Sequence, residues 1–422
     1  MLLLSKIDYG IYIYGSSPKT TLRIIQPSYH QAARRSINAF PTTPLKNILA
    51  EAGLPSIEQR FEQTISKLVV KLVFSTNSVI DKDIHQAMNL KCRKRIPSAL
   101  KTILDKAREM DIPTKTTKYS TLSYPPWSIK ANSFVLSLAH YSKTNTSNAV
   151  YQSLFSSISS ELKTKGWKFI FTDGSKSKDN TSFAVTFEDG QILNIGILPE
   201  YASIFTAEAF AILQATKSIR NSNDKFVICS DSISVLKAVK NPNNDSDLIS
   251  AIRNKIIMKP NKIKLMWTPG HSKIRGNEEA DKAATSTNKS PVYKFNIYTK
   301  KDLKTQILDT LRRKQEIEWS LYHHHYKKIN EHKTYPQYPT NVSKQKISNY
   351  IRLRLGHTST THKHLLNKNN PPICSTCNTT MSLTHLLENC QSSKPALSSI
   401  FKNISIYDVL KNPTSSNIEN SQ

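Results

Sequence analysis

Acidic residues are scarce in this chain. Against 59 Lys and Arg stand only 31 Asp and Glu, so that 422 residues carry a net charge of +28. That balance argues against an ordinary near-neutral surface and favours a polyanionic partner, most simply nucleic acid, over a merely solvated basic face. Cysteines are also few: Cys92, Cys229, Cys374, Cys377 and Cys390. Their odd count, with three of the five in one short segment, excludes a disulfide framework and points to a reducing compartment. No apolar run reaches the roughly 18 residues that a membrane-spanning helix needs, so no membrane partner is expected. The start, Met1-Leu2-Leu3-Leu4-Ser5-Lys6-Ile7-Asp8, has three leucines before a charge pair and does not read as a signal peptide. The expected location is intracellular, in the nucleus or cytoplasm. Lys91-Cys92-Arg93-Lys94-Arg95 reads as a nuclear-import patch or, at least as well, as a phosphate-binding or merely solvated cluster.

The excess charge is uneven. Residues 166–290 hold 17 Lys/Arg and 13 Asp/Glu, a net of +4, so most of the excess lies in the flanks. Four acids inside that block stand out. Asp173 follows the apolar run Trp167-Lys168-Phe169-Ile170-Phe171. Glu208 lies in the helical stretch Thr206-Ala207-Glu208-Ala209-Phe210. Asp231 ends Phe226-Val227-Ile228-Cys229-Ser230, and Asp281 lies in Gly276-Asn277-Glu278-Glu279-Ala280-Asp281. Acids at the ends of buried strands are costly unless a cation or a partner compensates them. Four converging acids suit a pair of divalent ions and hydrolysis of a phosphoryl ester.

The length allows two or three domains. Residues 1–110 read as mainly helical, with Leu45, Ile48, Leu49 and Ala52 at helical spacing and Gly53-Leu54-Pro55 as punctuation. Residues 111–165, rich in Thr, Ser, Lys and Pro, read as a linker with short elements. Strands are expected at 167–173, 182–187, 191–197, 225–230 and 262–267, and helices at 207–220, 232–240, 245–258 and from about 277. Three consecutive strands followed by alternating elements imply an α/β fold, a mixed sheet with flanking helices. A charged helix is expected over 300–331, within a helical region 300–395. The polar segment 396–422 reads as a flexible tail.

Phe171-Thr172-Asp173-Gly174-Ser175, Thr206-Ala207-Glu208, Cys229-Ser230-Asp231-Ser232 and Trp267-Thr268-Pro269-Gly270-His271, with Gly276-Asn277 to Asp281, together resemble type 1 ribonuclease H. The resemblance covers residues 166–290. It implies a five-stranded mixed sheet with its first three strands antiparallel, and hydrolysis of the RNA strand of RNA–DNA hybrids. Asp173, Glu208, Asp231 and Asp281 would then hold two Mg²⁺ ions, for which Mn²⁺ can substitute. His271 resembles the family's mobile histidine, which assists proton transfer or product release. Gly174, Ser175 and Asn277 resemble contacts to the hybrid. Only 39 residues separate Asp231 from His271, which leaves little room for the basic handle of some cellular members.

The flanks resemble Jockey-like non-LTR retrotransposon polyproteins. The residues that carry this are Ser5-Lys6-Ile7-Asp8-Tyr9-Gly10 through Ala33-Arg34-Arg35, Leu49 to Pro55, and Arg352-Leu353-Arg354-Leu355-Gly356-His357-Thr358. No two aspartates are adjacent anywhere, so the polymerase pair of such elements is missing and no polymerase activity is expected. The chain reads as a C-terminal fragment that lacks the reverse-transcriptase active site. A nucleic-acid-binding remnant without turnover is the alternative.

Cys374-x2-Cys377-x7-His385-x4-Cys390 has ligand types and spacing that can close around tetrahedral Zn²⁺. The competing reading is a small hydrophobic cluster. The oligomeric state is not legible in the sequence.

Overall fold

The computed structural model describes residues 2–14, 19–75, 79, 82–83, 99–113, 124–178, 180–219, 224–286, 293–393 and 406–420. The Lys91–Arg95 cluster lies outside them. The chain divides into two compact units. One comprises residues 1–66, 92–106 and 308–422, and the other residues 67–91 and 107–307.

The second unit is built on a seven-stranded mixed sheet. Its strands are β1 (Phe134–Val135), β2 (Trp167–Lys176), β3 (Thr181–Phe187), β4 (Ile192–Leu198), β5 (Lys225–Ser230), β6 (Ile263–Trp267) and β7 (Tyr293–Lys294). They lie in the order β1-β6-β5-β2-β3-β4-β7. β2, β3 and β4 run antiparallel, whereas β5 is parallel to both β2 and β6. The five expected strands are all present. β1 and β7 extend the sheet, each adding a two-residue parallel pairing at an edge. Runs so short carry no readable periodicity, so the sequence pattern stops at five.

Helices cover both faces of the sheet. Phe171 of β2 packs against Phe155 of the Asn148–Thr164 helix. The same ring meets Gly276 of the Arg275–Thr285 helix, where an added Cβ would come within 2.2 Å of it. Gly174, three residues further on and therefore on the opposite face, abuts the start of the Ile204–Ser218 helix. A Cβ there would lie 2.7 Å from the Glu208 backbone nitrogen. Phe210 of that helix packs edge-on against Phe183 of β3 at 4.9 Å. Helix and strand are drawn this close because residues 206–216 are buried throughout.

The expected linker is partly a corrected reading. Residues 148–164 form a 17-residue helix whose N-cap is Ser147. Tyr151, Phe155, Ile158 and Leu162 recur along one face and join the core of the sheet. The expected tail is corrected as well: Ile406–Lys411 and Ser415–Asn420 are helical, with Leu410 and Ile418 fully buried. The charged helix ends at Ser320, and a separate short helix spans His325–Ile329.

The first unit contains helices expected of the N-terminal region, at Leu2–Tyr14, Lys19–Ser36 and Leu45–Glu51. Its interior holds an ion pair, Arg354 Nε to Glu51 Oε1 at 2.8 Å. Tyr326 and Tyr338 hydroxyls also donate to the Glu51 carboxylate.

Candidate active site

The parallel register of β2 and β5 pairs Thr172 with Ser230. The next residues, Asp173 and Asp231, therefore stand side by side where β5 ends. Glu208 approaches from the first turns of the Ile204–Ser218 helix. That helix is fixed at its start by the Ser203 side chain, which accepts from Thr206 N–H. Asp302 adds a second anchor, its carboxylate accepting from Ser203 N–H (3.2 Å) and Thr206 Oγ1 (2.5 Å). Carboxylate oxygens of Asp173, Glu208 and Asp231 all lie within 4.8 Å of one another.

Burial pushes the Asp173 carboxyl up to about 8, reinforced by the charges of Asp231 and Asp281; the Gly174 N–H opposes the shift. Burial also raises Glu208 well above the carboxylate range, followed by the charges of Asp173 and Asp231. Asp231 is raised by burial, while Lys143 and His271 pull it down. Glu208 Oε2 is buried and has no hydrogen-bond partner. A buried carboxylate with one orphaned oxygen, close to two other acids, is unfavourable by itself and is suited by a cation. The donors are all hard carboxylate oxygens, the type that Mg²⁺ and Mn²⁺ prefer, so the residues fit the expected metal.

Asp281 stands at the edge of this trio, close enough for its charge to raise both Asp173 and Asp231. His271 is 81% exposed, with Nδ1 at 3.9 Å from Asp281 Oδ2. Ser175 lies two residues beyond Asp173 on β2 and is half-buried. Asn277, expected at the hybrid, is 2% exposed, and its Oδ1 accepts from Thr268 Oγ1 at 3.1 Å. It ties the end of β6 to the Asp281 helix. Lys143 and Gln152 at this site were not singled out in the sequence: both lie in the stretch read as a linker, and a lone Lys or Gln carries no pattern.

The second predicted cluster is also assembled. Donor atoms of Cys374, Cys377, His385 and Cys390 all lie within 4.8 Å of one another. Cys374 is brought back by a tight turn in which its N–H donates to Thr379 O (2.8 Å) and its carbonyl accepts from Asn378 N–H (2.9 Å). Thr379 Oγ1 engages His385 Nδ1 at 3.2 Å, whereas buried His385 Nε2 has no partner. A free Nε2 opposite a held Nδ1 is the arrangement of a metal-ligating imidazole. Hydrogen bonds from Ser392 and Ser393 hold the Cys390 thiol down to about 5, which favours the thiolate that zinc needs. The donor set fits Zn²⁺.

Two acids at adjacent parallel strands of a mixed sheet and a third on a neighbouring helix form a carboxylate cluster of the kind that can hold a divalent cation. Residues 166–289 match the family model of RNase H, and this segment is an RNase H domain. Among solved structures, RNase H1 from the halophilic archaeon Halobacterium salinarum NRC-1 is similar over 29% of this chain and 98% of that one, at 20% identity and a TM-score of 0.23. No curated protein matches the chain.

Proposed function

We propose that this protein hydrolyses the RNA strand of RNA–DNA hybrids in a reaction that needs divalent metal. The observation that carries the reading is the unpartnered Glu208 Oε2, which is buried among Asp173 and Asp231 within the RNase H domain. Asp173, Glu208, Asp231 and Asp281 would hold two Mg²⁺ ions, with Mn²⁺ as a substitute. When bound, such ions offset the charge that develops on the phosphodiester and lower the pKa of an attacking water. Asp173, raised by burial and then by Asp231 and Asp281, and Glu208, raised by burial and then by Asp173 and Asp231, would have to give up any proton they hold in order to bind the cations. His271 would pass a proton to the leaving 3′ oxygen, a role supported by its exposure on a loop beside Asp281. Of the two residues that follow Asp173 on β2, Gly174 is buried and Ser175 half-buried; their backbone would meet the hybrid, and the RNA 2′-hydroxyl is the group that would be read there.

The setting we propose is a C-terminal fragment of a Jockey-like retrotransposon polyprotein, removing template RNA after reverse transcription. The flanking sequence words support it. The Cys374, Cys377, His385 and Cys390 cluster is proposed to hold one Zn²⁺. Cleavage of a labelled RNA–DNA hybrid, with duplex DNA as control, tests the activity. Cleavage of the hybrid RNA with Mg²⁺ and none in excess EDTA is expected. Hybrid binding without cleavage in any divalent metal would favour the remnant that binds nucleic acid without turnover.

A further inference from the structure

We infer that Gln152, upstream of the RNase H domain, is a positioning residue for His271. The inference rests on the reading of the site given above. Gln152 lies near the start of the Asn148–Thr164 helix. Its Nε2 donates to the backbone carbonyls of Ser272 (3.3 Å) and Lys273 (3.0 Å), the two residues that follow His271.

The loop has reason to need a hold. His271 and Lys273 have φ of 57° and 59°, a left-handed conformation that residues with a Cβ occupy only at a steric cost. Within the domain, Ser272 Oγ donates to Pro269 O (2.5 Å) and Lys273 N–H donates to Glu278 Oε1 (3.2 Å). Neither bond fixes the carbonyls of Ser272 and Lys273. Gln152 fixes both with one amide group, and so sets the two peptide planes that directly follow those of His271. His271 itself is too exposed for packing to orient it.

The donor is carried on a rigid base. Tyr151 is 1% exposed, packs edge-on against Trp267 at 6.5 Å, and donates its hydroxyl to Tyr141 O at 3.0 Å. Phe155 packs on Phe169 and Phe171 of β2, the strand that bears Asp173. The helix that supplies Gln152 is thus fastened to the same sheet as the acids. A side chain from outside residues 166–289 connects that sheet to the histidine loop.

Gln152→Met, in the full chain, keeps length and removes both donors. Two readouts decide the inference. Amide hydrogen exchange at Ser272, Lys273 and Ile274, measured without substrate, is expected to quicken in Gln152→Met while exchange in β2 stays unchanged. Unchanged exchange in the loop overturns the inference whether or not the chain cleaves hybrids. If the wild-type chain cleaves nothing while Gln152→Met still quickens exchange in the loop, the result counts against the enzymatic reading and not against the hold.

With an active wild type, kcat on a hybrid is expected to fall roughly tenfold at unchanged KM, less than the loss of about 10²–10⁴ that removing a positioned acid–base group outright would give. In a His271→Ala background, Gln152→Met should have no further effect. Full, independent losses in both backgrounds overturn the inference. Gln152→Ala serves the same comparison if the methionine variant does not fold.

Discussion

Trp267 donates its indole N–H to the backbone carbonyl of Asp231 at 2.9 Å. The bond joins the last residue of β6 to the residue just past β5, whose carboxylate belongs to the acid cluster. Trp267→Phe keeps most of the ring and deletes the donor. Because Ile233 N–H also donates to that carbonyl, at 3.0 Å, the carbonyl keeps one partner. The expected loss is about 1 kcal/mol, the net worth of one hydrogen bond, read from urea denaturation followed by Tyr and Trp fluorescence. Hybrid cleavage should fall with it, and full stability in the variant would show that the bond contributes nothing.

The acid cluster makes the metal-free protein sensitive to pH in a definite direction. The Asp173 carboxyl is pushed from 3.8 up to about 8, by burial first and then by Asp231 and Asp281. In the unfolded chain it loses its proton near its ordinary value. Between the two pKa values the folded state binds more protons, so stability falls as pH rises through that window. Asp173→Asn removes this loss. Without metal, the variant should melt above wild type at about pH 8, with the difference shrinking towards about pH 4. It should also abolish cleavage while hybrid binding persists. Identical melting profiles for the two proteins would mean that burial and the neighbouring acids do not raise the Asp173 carboxyl in the folded chain.

In the other unit, the buried Glu51–Arg354 pair sets a second expectation. Glu51 is 0% and Arg354 2% exposed. Removing one partner strands the other charge in the interior, so Arg354→Met should cost about 3–5 kcal/mol. The double variant Glu51→Gln with Arg354→Met should recover part of that loss in chemical denaturation. If the single variant proves as stable as wild type, the pair is not buried in solution.

Acid should unfold the same unit early. His357 stacks on His362 at 3.7 Å between ring centres. Burial, then the neighbouring charges of His362 and His324, lowers His357 to about 3, and burial foremost lowers His325 to about 4. Unfolded imidazoles take a proton near 6.5, so stability is lost as pH falls from there towards about 4. His357→Phe should flatten this acid limb in thermal melts taken from about pH 7 to 4. A limb as steep as that of wild type would place the sensitivity elsewhere.

Elemental analysis should find one Zn²⁺ per chain. Cys377→Ser should lower it and leave Mg²⁺-dependent cleavage intact, since the acid cluster lies in the RNase H domain and the cysteines do not. Zinc should be lost on acidification as protons compete for the sulfurs. Retention of full zinc by Cys377→Ser would remove that thiol from the ligand set.

Much of the site was legible in the chain itself. An apolar run ending in an acid marks Asp173 and Asp231, because a strand buried on both faces must be apolar and its polar chemistry falls at its end. Glu208 could be placed because the residues around it, Ala207 and Ala209 to Leu213, are apolar. The Cys/His spacing likewise showed a cluster before any fold was known. Local pattern determined these, since each depends on residues only a few positions apart. Tertiary structure alone decided the rest. The parallel register set Asp173 beside Asp231, and the turn of one helix left Glu208 Oε2 without a partner. Asn277 went inside, bonded to Thr268. Asp302 reached Ser203 across 99 residues, Gln152 reached Lys273 across 121, and Arg354 met Glu51 across 303. Side-chain bonds across such separations leave no periodicity in the sequence. They exist only once packing has brought the two elements together.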